Sequence, residues 1–303
     1  MLKLLLTGGT GFLGSALVKK FLASNYDITL VSHYSAKAHQ QFGQQVKVLA
    51  QVNELQADDS FDVIINLAGA PIFGALWTAK RKAVMRDSRI KLTTDLVAKI
   101  ATFNSKPKLL ISGSAIGFYG EQGTNIVTEE STIEPDFSQT LCADWEDAAL
   151  KAEQYGVRVC VIRTGLVLGK EGGFLKPMLL PFKLGLGGQL GKGTQWMSWI
   201  HLNDWVAIVK QMMADEQMHG AYNATAPNPV TNSEFTQQLA KSLHRPAFLP
   251  VPRVFLKWLL GEMADLLLCS QRVLPMRLQT LNFEFEYPDL SLALKQVVQV
   301  SDV

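Results

Sequence analysis

Short, unbroken apolar runs set the rhythm of the first half of the chain. KLLLT (3–7), ITLVS (28–32), VKVLA (46–50) and DVIINLA (62–68) do not alternate apolar with polar positions. Runs of that kind predict strands covered on both faces. Between them, SALVKKFLASN (15–25) and KRKAVMRDSRIKLTTDLVAKIATF (80–103) repeat apolar positions three and four apart, the spacing of helices. Two more strands, KLLISG (108–113) and RVCVIRT (158–164), flank a helix over 140–154. Regular alternation of strand and helix implies right-handed crossovers and one doubly wound parallel sheet, an α/β fold of Rossmann type.

After Thr164 the texture changes. GLVLGKEGGFLKPMLLPFKLGLGGQLGKGTQ is rich in glycine and predicts loop with one short helix. WIHLNDWVAIVKQMMAD (199–215) reads as a strand end, an aspartate cap at Asp204 and a helix. VFLKWLLGEMADLLLC (254–269) reads as a buried or partner-facing helix, and FEFEY (283–287) as a short strand. The organisation expected is a dinucleotide-binding domain over 1–165 with about 195–225, and a smaller α-rich domain. That second domain takes 226–303 with about 166–194 and packs over the carboxyl edge of the sheet.

The first strand runs into TGGTGFLG, and a helix follows at once. Gly8 serves the tight turn, Gly11 lets the main chain approach a pyrophosphate, and Gly14 lets helix and sheet pack closely. The helix start offers free N–H groups and a positive dipole end. The second strand ends in VSHYSAKA, without the acidic residue that accepts a ribose 2′-hydroxyl. Ser32, His33 and Lys37 suit a 2′-phosphate instead, so NADP(H) is expected over NAD.

Charge and cysteine content narrow the remaining classes. Lys and Arg total 29 against 27 for Asp and Glu, a net +2 that supplies no basic face for nucleic acid. The 3 cysteines are odd in number and far apart, which suits a reducing compartment and no zinc site. No run of about 18 charge-free apolar residues predicts a membrane span. The expected setting is cytoplasmic, with no membrane partner and no metal.

These residues resemble a family. TGGTGFLG, NLAG (66–69), ISGSAIGFYG (111–120), IRTGLVLG (162–169) and WIHLNDWV (199–206) are similar to the extended short-chain dehydrogenases/reductases. INLAGAPI with Trp77, MRDSRIKLTTDLV, LCADWEDAA and the tail from Gly261 resemble an atypical "epimerase family" branch. Its members are NAD-dependent epimerase/dehydratase-like, with a C-terminal domain of unknown function. The resemblance covers nearly the whole chain. It implies that Gly8, Thr10, Gly11, Phe12, Leu13 and Gly14 line a pyrophosphate and that Ser32, His33 and Lys37 face the adenosine ribose. It implies further that Leu67, Ala68 and Gly69 run past the cofactor, that Ser112 and Gly113 border the nicotinamide, and that Arg163 meets cofactor or substrate phosphate. Arg163 could equally pair with a carboxylate.

The resemblance also implies a catalytic Ser with a Tyr-x-x-x-Lys pair. Ser114 fits the serine. Glu146 fits a glutamate four residues past the lysine, which puts Ser138 at the tyrosine position and Cys142 at the lysine position. The helix is there and its acid–base pair is not. Tyr119 and Cys142 are the alternatives for catalysis, each with a plainer role in packing. Hydride exchange between NADP(H) and a small polar carbonyl or carbinol, a nucleotide sugar by family default, is the function implied. The rival is a cofactor-binding sensor without turnover. A homodimer through the helices at 84–103 and 140–154 is expected by resemblance.

Overall fold

Residues 1–299 are described by a computed structural model. β1 (Lys3–Thr7) leads through a tight turn into α1 (Phe12–Leu22). β2 (Asp27–Val31), α2 (Ser35–Phe42), β3 (Lys47–Leu49) and β4 (Val63–Asn66) follow. α3 (Ala79–Arg86) and α4 (Leu92–Thr102) lead to β5 (Leu109–Ala115). α5 (Phe137–Leu150) and β6 (Arg158–Thr164) follow, α6 (Lys176–Lys183) leaves the sheet, and α7 (Leu202–Ala214) and β7 (Gly220–Ala224) complete the large layer. The seven strands form one sheet in the order β7-β6-β5-β4-β1-β2-β3, and every pairing is parallel.

Continuous apolar runs follow from burial on both faces. On β1, Leu4 and Leu6 enter a core with Leu17, Val18 and Phe21 of α1 and Trp205 and Val209 of α7. Leu5 faces the other way, into a core with Leu96 and Ile100 of α4 and Ala149 of α5. A third core lies outside the sheet. It joins Leu168, Leu175, Phe182, Met197 and Trp199 to Phe235 and Leu239 of α8 (Asn232–Ser242) and to Leu290 and Leu294 near the C-terminus. The glycine-rich stretch after β6 therefore shares its core with the C-terminal part.

Four expectations are corrected locally. The helix expected over 80–103 is interrupted by a π turn at Asp87–Lys91, between α3 and α4. The apolar run from Val254 is two helices, α9 (Arg253–Leu260) and α10 (Met263–Leu268), parted at Gly261 with φ 57°. On α9, Val254 and Trp258 are exposed rather than buried.

FEFEY joins no ladder. Phe283 and Phe285 anchor against the α1–α7 core as a T-shaped pair with centroids 4.8 Å apart. Its alternation reflects two aromatic anchors, not a pleat. The cap of α7 is His201, whose Nδ1 accepts from Asn203 N at 3.1 Å, and not Asp204. Asp204 is buried and reaches the C-terminal segment instead, accepting from Glu286 N at 2.7 Å and Tyr287 N at 3.1 Å.

Removing that carboxylate leaves two main-chain N–H groups without acceptors, at a cost of about 2–3 kcal/mol. Urea unfolding of Asp204→Ala should show that loss, and Asp204→Asn, which keeps one acceptor, less than half of it. Equal small effects from both variants would remove Asp204 as the clasp between α7 and the C-terminal segment.

Candidate functional site

The carboxyl ends of the strands carry a row of polar side chains. Across the register, Thr7 lies beside Asn66 and Asn66 beside Ser112, while Arg163 lies between Ser114 and Asn223. Open α/β sheets bind ligands along this edge.

At β1 the turn into α1 has no room for side chains. Gly8 has φ +71°, and a Cβ there would stand 2.6 Å from Leu67 O. A Cβ on Gly14 would stand 2.3 Å from Gly8 O. Gly11 N donates to Gly8 O at 3.0 Å and caps α1 with no side-chain hydrogen bond, and the first turn holds no acid. The helix start thus keeps its N–H groups and positive end for an anion. The Phe12 ring is covered by Gly169, Gly172 and Gly173, so the loop after β6 closes over this turn. Thr10 and Leu13 are half-buried beside it.

A polar floor supports the next strands. Thr7 Oγ1 donates to Asn66 Oδ1 at 2.7 Å and accepts from Ala68 N at 3.2 Å. Asn66 Nδ2 and Trp145 Nε1 both donate to Thr93 Oγ1, at 2.7 and 3.0 Å. Ser112 is fully buried in this floor, and the Trp145 indole lies where a side chain on Gly113 would go. Both residues can border a ligand only through their main chain.

Ser114 belongs to a chain of buried groups. Its hydroxyl donates to Glu146 Oε1 at 2.6 Å. Arg163 grips the same carboxylate with Nε at 2.9 Å and Nη2 at 2.8 Å, while its Nη1 donates to Tyr119 Oη at 3.0 Å. Tyr119 Oη in turn donates to Asn223 Oδ1 at 2.7 Å. Burial works against the Arg163 charge, but the Glu146 hydrogen bonds and charge outweigh it and hold the guanidinium above its ordinary pKa. Arg163 therefore spends its donors inside the protein rather than on a cofactor.

The other two catalytic alternatives are also enclosed. Tyr119 is fully buried, and desolvation pushes its hydroxyl up to about 12 despite the neighbouring Arg163. Burial, then the Glu146 charge, pushes the Cys142 thiol up to about 12, so it stays protonated at neutral pH. The main chain at Gly117 lies against Ser138 and Cys142: a Cβ there would stand 3.3 Å from Ser138 Cβ and 3.7 Å from Cys142 Sγ. Among the described residues, no group of His, Cys, Asp and Glu could hold a metal, and no helix is long and apolar enough to cross a membrane.

Two cavities flank this edge. One of about 780 Å³, on the β2 side, is lined by His33, Gln51, Val52, Asn53, Leu92 and Lys99 among others. Ser32 is buried beside it, and His33 and Lys37 are exposed. The other, about 320 Å³, lies before the start of α5, between Trp77, Phe137 and Ser138 and residues of α9 and α10. It carries Glu121, Asp136, Glu262 and Asp265 against Arg253.

Of the remaining arginines, Arg86 pairs with Asp144 at 2.6 Å and ties α3 to α5. Arg277 donates to Ala221 O at 2.7 Å and stacks on Tyr222, and Arg272 stacks on Trp196. Sequence reading passed over Asn223. Its signal was an amide in the middle of an apolar strand end, GAYNA, which a buried strand tolerates only with partners.

Glu146→Gln should destabilise the protein by about 3 kcal/mol, because Arg163 would be left buried without its counter-charge. The double variant Glu146→Leu with Arg163→Met should cost less than Glu146→Gln alone in chemical unfolding. A double variant that costs as much as the two single changes together would show that the pair is not a coupled unit.

Comparison with known proteins agrees with this geometry. Residues 4–224 match the NAD dependent epimerase/dehydratase family, and residues 251–297 match a domain of unknown function, DUF1731. The chain is 40% identical to the chloroplastic epimerase family protein SDR39U1 homolog of Arabidopsis thaliana, over 97% of this chain and 86% of that protein. It is 38% identical to the epimerase family protein YfhF of Bacillus subtilis, over 97% of each. The crystal structure of human epimerase family protein SDR39U1 with NADPH superposes with a TM-score of 0.89, at 32% identity, over 98% of this chain and 99% of that one. A glycine-walled turn at β1, a parallel sheet of this order and full-length likeness to such relatives together make the chain a member of the NAD dependent epimerase/dehydratase family.

Proposed function

We propose that the protein binds NADP(H) along the carboxyl edge of the sheet and exchanges hydride with a small, uncharged polar carbonyl or carbinol. The observation that carries this reading is the sheet order itself. It sets the side-chain-free turn of β1 next to the β4 and β5 ends, with one cavity on each side.

The residues fit the dinucleotide. Gly8, Thr10, Gly11, Phe12, Leu13 and Gly14 would hold the pyrophosphate at the uncapped start of α1. Ser32, His33 and Lys37 would take the 2′-phosphate, since no acid follows β2 to repel it. Leu67, Ala68, Gly69, Ser112 and Gly113 would lie along its far half. NADPH supplies hydride to an acceptor carbon when bound, and the related human protein was crystallised with it.

Ser114 donates its hydrogen bond to Glu146 Oε1, so its oxygen, beside the Cys142 thiol, can accept from a substrate hydroxyl. That arrangement suits the carbinol: the hydroxyl donates to Ser114 Oγ, and a proton can pass on toward Glu146. In the smaller cavity Lys82 pairs with Glu262 and Lys257 with Asp265, which leaves Glu121 and Asp136 against Arg253, a balance that favours a neutral ligand over a diphosphate.

A second reading, a cofactor-binding module without turnover, also has support. Ser138 and Cys142 provide no phenol and no ammonium, the Cys142 thiol stays protonated, and Tyr119 is out of reach of solvent.

Purified protein loaded with NADPH deuterated at C4, on each face in turn, separates the two. With a small-molecule extract, one metabolite should gain a single deuterium, and Ser114→Ala should lower that transfer at least tenfold. Tight binding with no transfer from either face would contradict the oxidoreductase reading and leave the sensor.

A further inference from the structure

Arg89 is a cation without a counter-charge at the middle of the candidate site. It stands in the π turn between α3 and α4, the kind of helical irregularity that recurs at functional sites. Its Nη1 donates to two main-chain carbonyls, Ala70 O at 3.1 Å and Met85 O at 3.2 Å. No hydrogen bond among the described residues engages its Nε or Nη2, and no carboxylate pairs with it. Other arginines near this edge are satisfied: Arg163 by Glu146 and Arg86 by Asp144.

Its position is set by two neighbours. The guanidinium lies flat on Gly69, so close that a Cβ there would be 2.7 Å from Cζ, 2.9 Å from Nη2 and 3.1 Å from Nε. The Trp145 ring also lies against it, with Cζ 5.2 Å from the centroid. Trp145 belongs to α5, one turn after Cys142, and covers Gly113 of β5. Arg89 is thus wedged between the end of β4 and the helix that fronts β5.

Sheet order turns this position into an assignment. β4 lies between β1, with its phosphate turn, and β5, with Ser114. Strands are about 4.8 Å apart, so a dinucleotide stretched from β1 to β5 passes the end of β4 with the sugar that joins its pyrophosphate to its nicotinamide. We infer that Arg89 binds the hydroxyls of that ribose with Nε and Nη2, and supplies from the α3–α4 segment the positive charge that α5, with Cys142 at the corresponding turn, does not carry. The inference rests on the NADP(H) reading above. Burial lowers the Arg89 pKa to about 10, which leaves it fully charged at neutral pH.

The test is binding of two ligands by calorimetry, with the wild-type protein as reference. One is NADPH, and the other is 2′-phosphoadenosine 5′-diphosphate, which keeps both phosphates of the bridge and lacks the second ribose and nicotinamide. Arg89→Met, which keeps the packed stem, should weaken NADPH about tenfold or more and leave the truncated ligand within about twofold. Arg89→Lys, which keeps the charge, should fall between wild type and Arg89→Met for NADPH alone. The assignment is overturned if Arg89→Met binds NADPH like the wild type, or if both variants weaken both ligands together. Failure of the wild type to bind NADPH would instead sink the cofactor reading on which the inference rests.

Discussion

A carboxylate and a guanidinium buried together organise the reactive end of this molecule. Glu146 and Arg163 come from α5 and β6, and neither charge could remain at its depth alone. Because the pair is gripped through two nitrogens, the carboxylate has a fixed plane, and that plane fixes the Ser114 hydroxyl against it. The spare nitrogen of Arg163 holds Tyr119, and Tyr119 holds Asn223 of β7. Three neighbouring strands and one helix are thereby locked in a single register at the edge where a ligand would lie. The arrangement also explains why Tyr119 and Arg163 look available in the sequence and are enclosed in the fold: each is a link in this chain.

The other half of the edge obeys a steric rule instead of an electrostatic one. The β1 turn is walled by its own backbone, so only glycine fits at 8 and 14, and the uncapped α1 start remains open. Between the steric half and the ionic half stands Arg89, the proposed contact to the ribose. α5 keeps the position of a catalytic helix while its polar side chains are turned to structural work: Glu146 to Arg163, Asp144 to Arg86, and Trp145 to Thr93. The π turn packs beside α5 on the same side of the sheet, and its Arg89 is the charge proposed to reach that space.

Much of the frame was legible in the sequence because it depends on local rules. Apolar runs without alternation report two-sided burial, and β1, β5 and β6 stand where those runs are. The TGGTGFLG turn reads directly from glycine spacing. What was not legible depends on contacts remote in sequence. Nothing in IHLND says that Asp204 serves residues 286 and 287, since the partners are main-chain N–H groups some eighty positions away. The alternation in FEFEY read as a short strand, whereas its two phenylalanines are anchors on a core formed by α1 and α7. The helical periodicity of 80–103 was visible, but one extra residue in a turn leaves that period nearly unchanged, so the π turn was not. Arg89 lies within MRDSRIKLTTDLV, which the sequence marks only as family-like. That no carboxylate among the described residues pairs with it is a property of the whole neighbourhood, which no local stretch of sequence reports.

The most direct measurement is a crystal structure of the protein grown with NADPH. The expected density runs from the α1 start across the end of β4 to Ser114, with the nicotinamide-side ribose within hydrogen-bond distance of Arg89 Nε or Nη2. A dinucleotide bound in the β1 turn whose second ribose points away from Arg89, with the guanidinium still held only by Ala70 and Met85 carbonyls, would contradict the proposed division of labour along this edge.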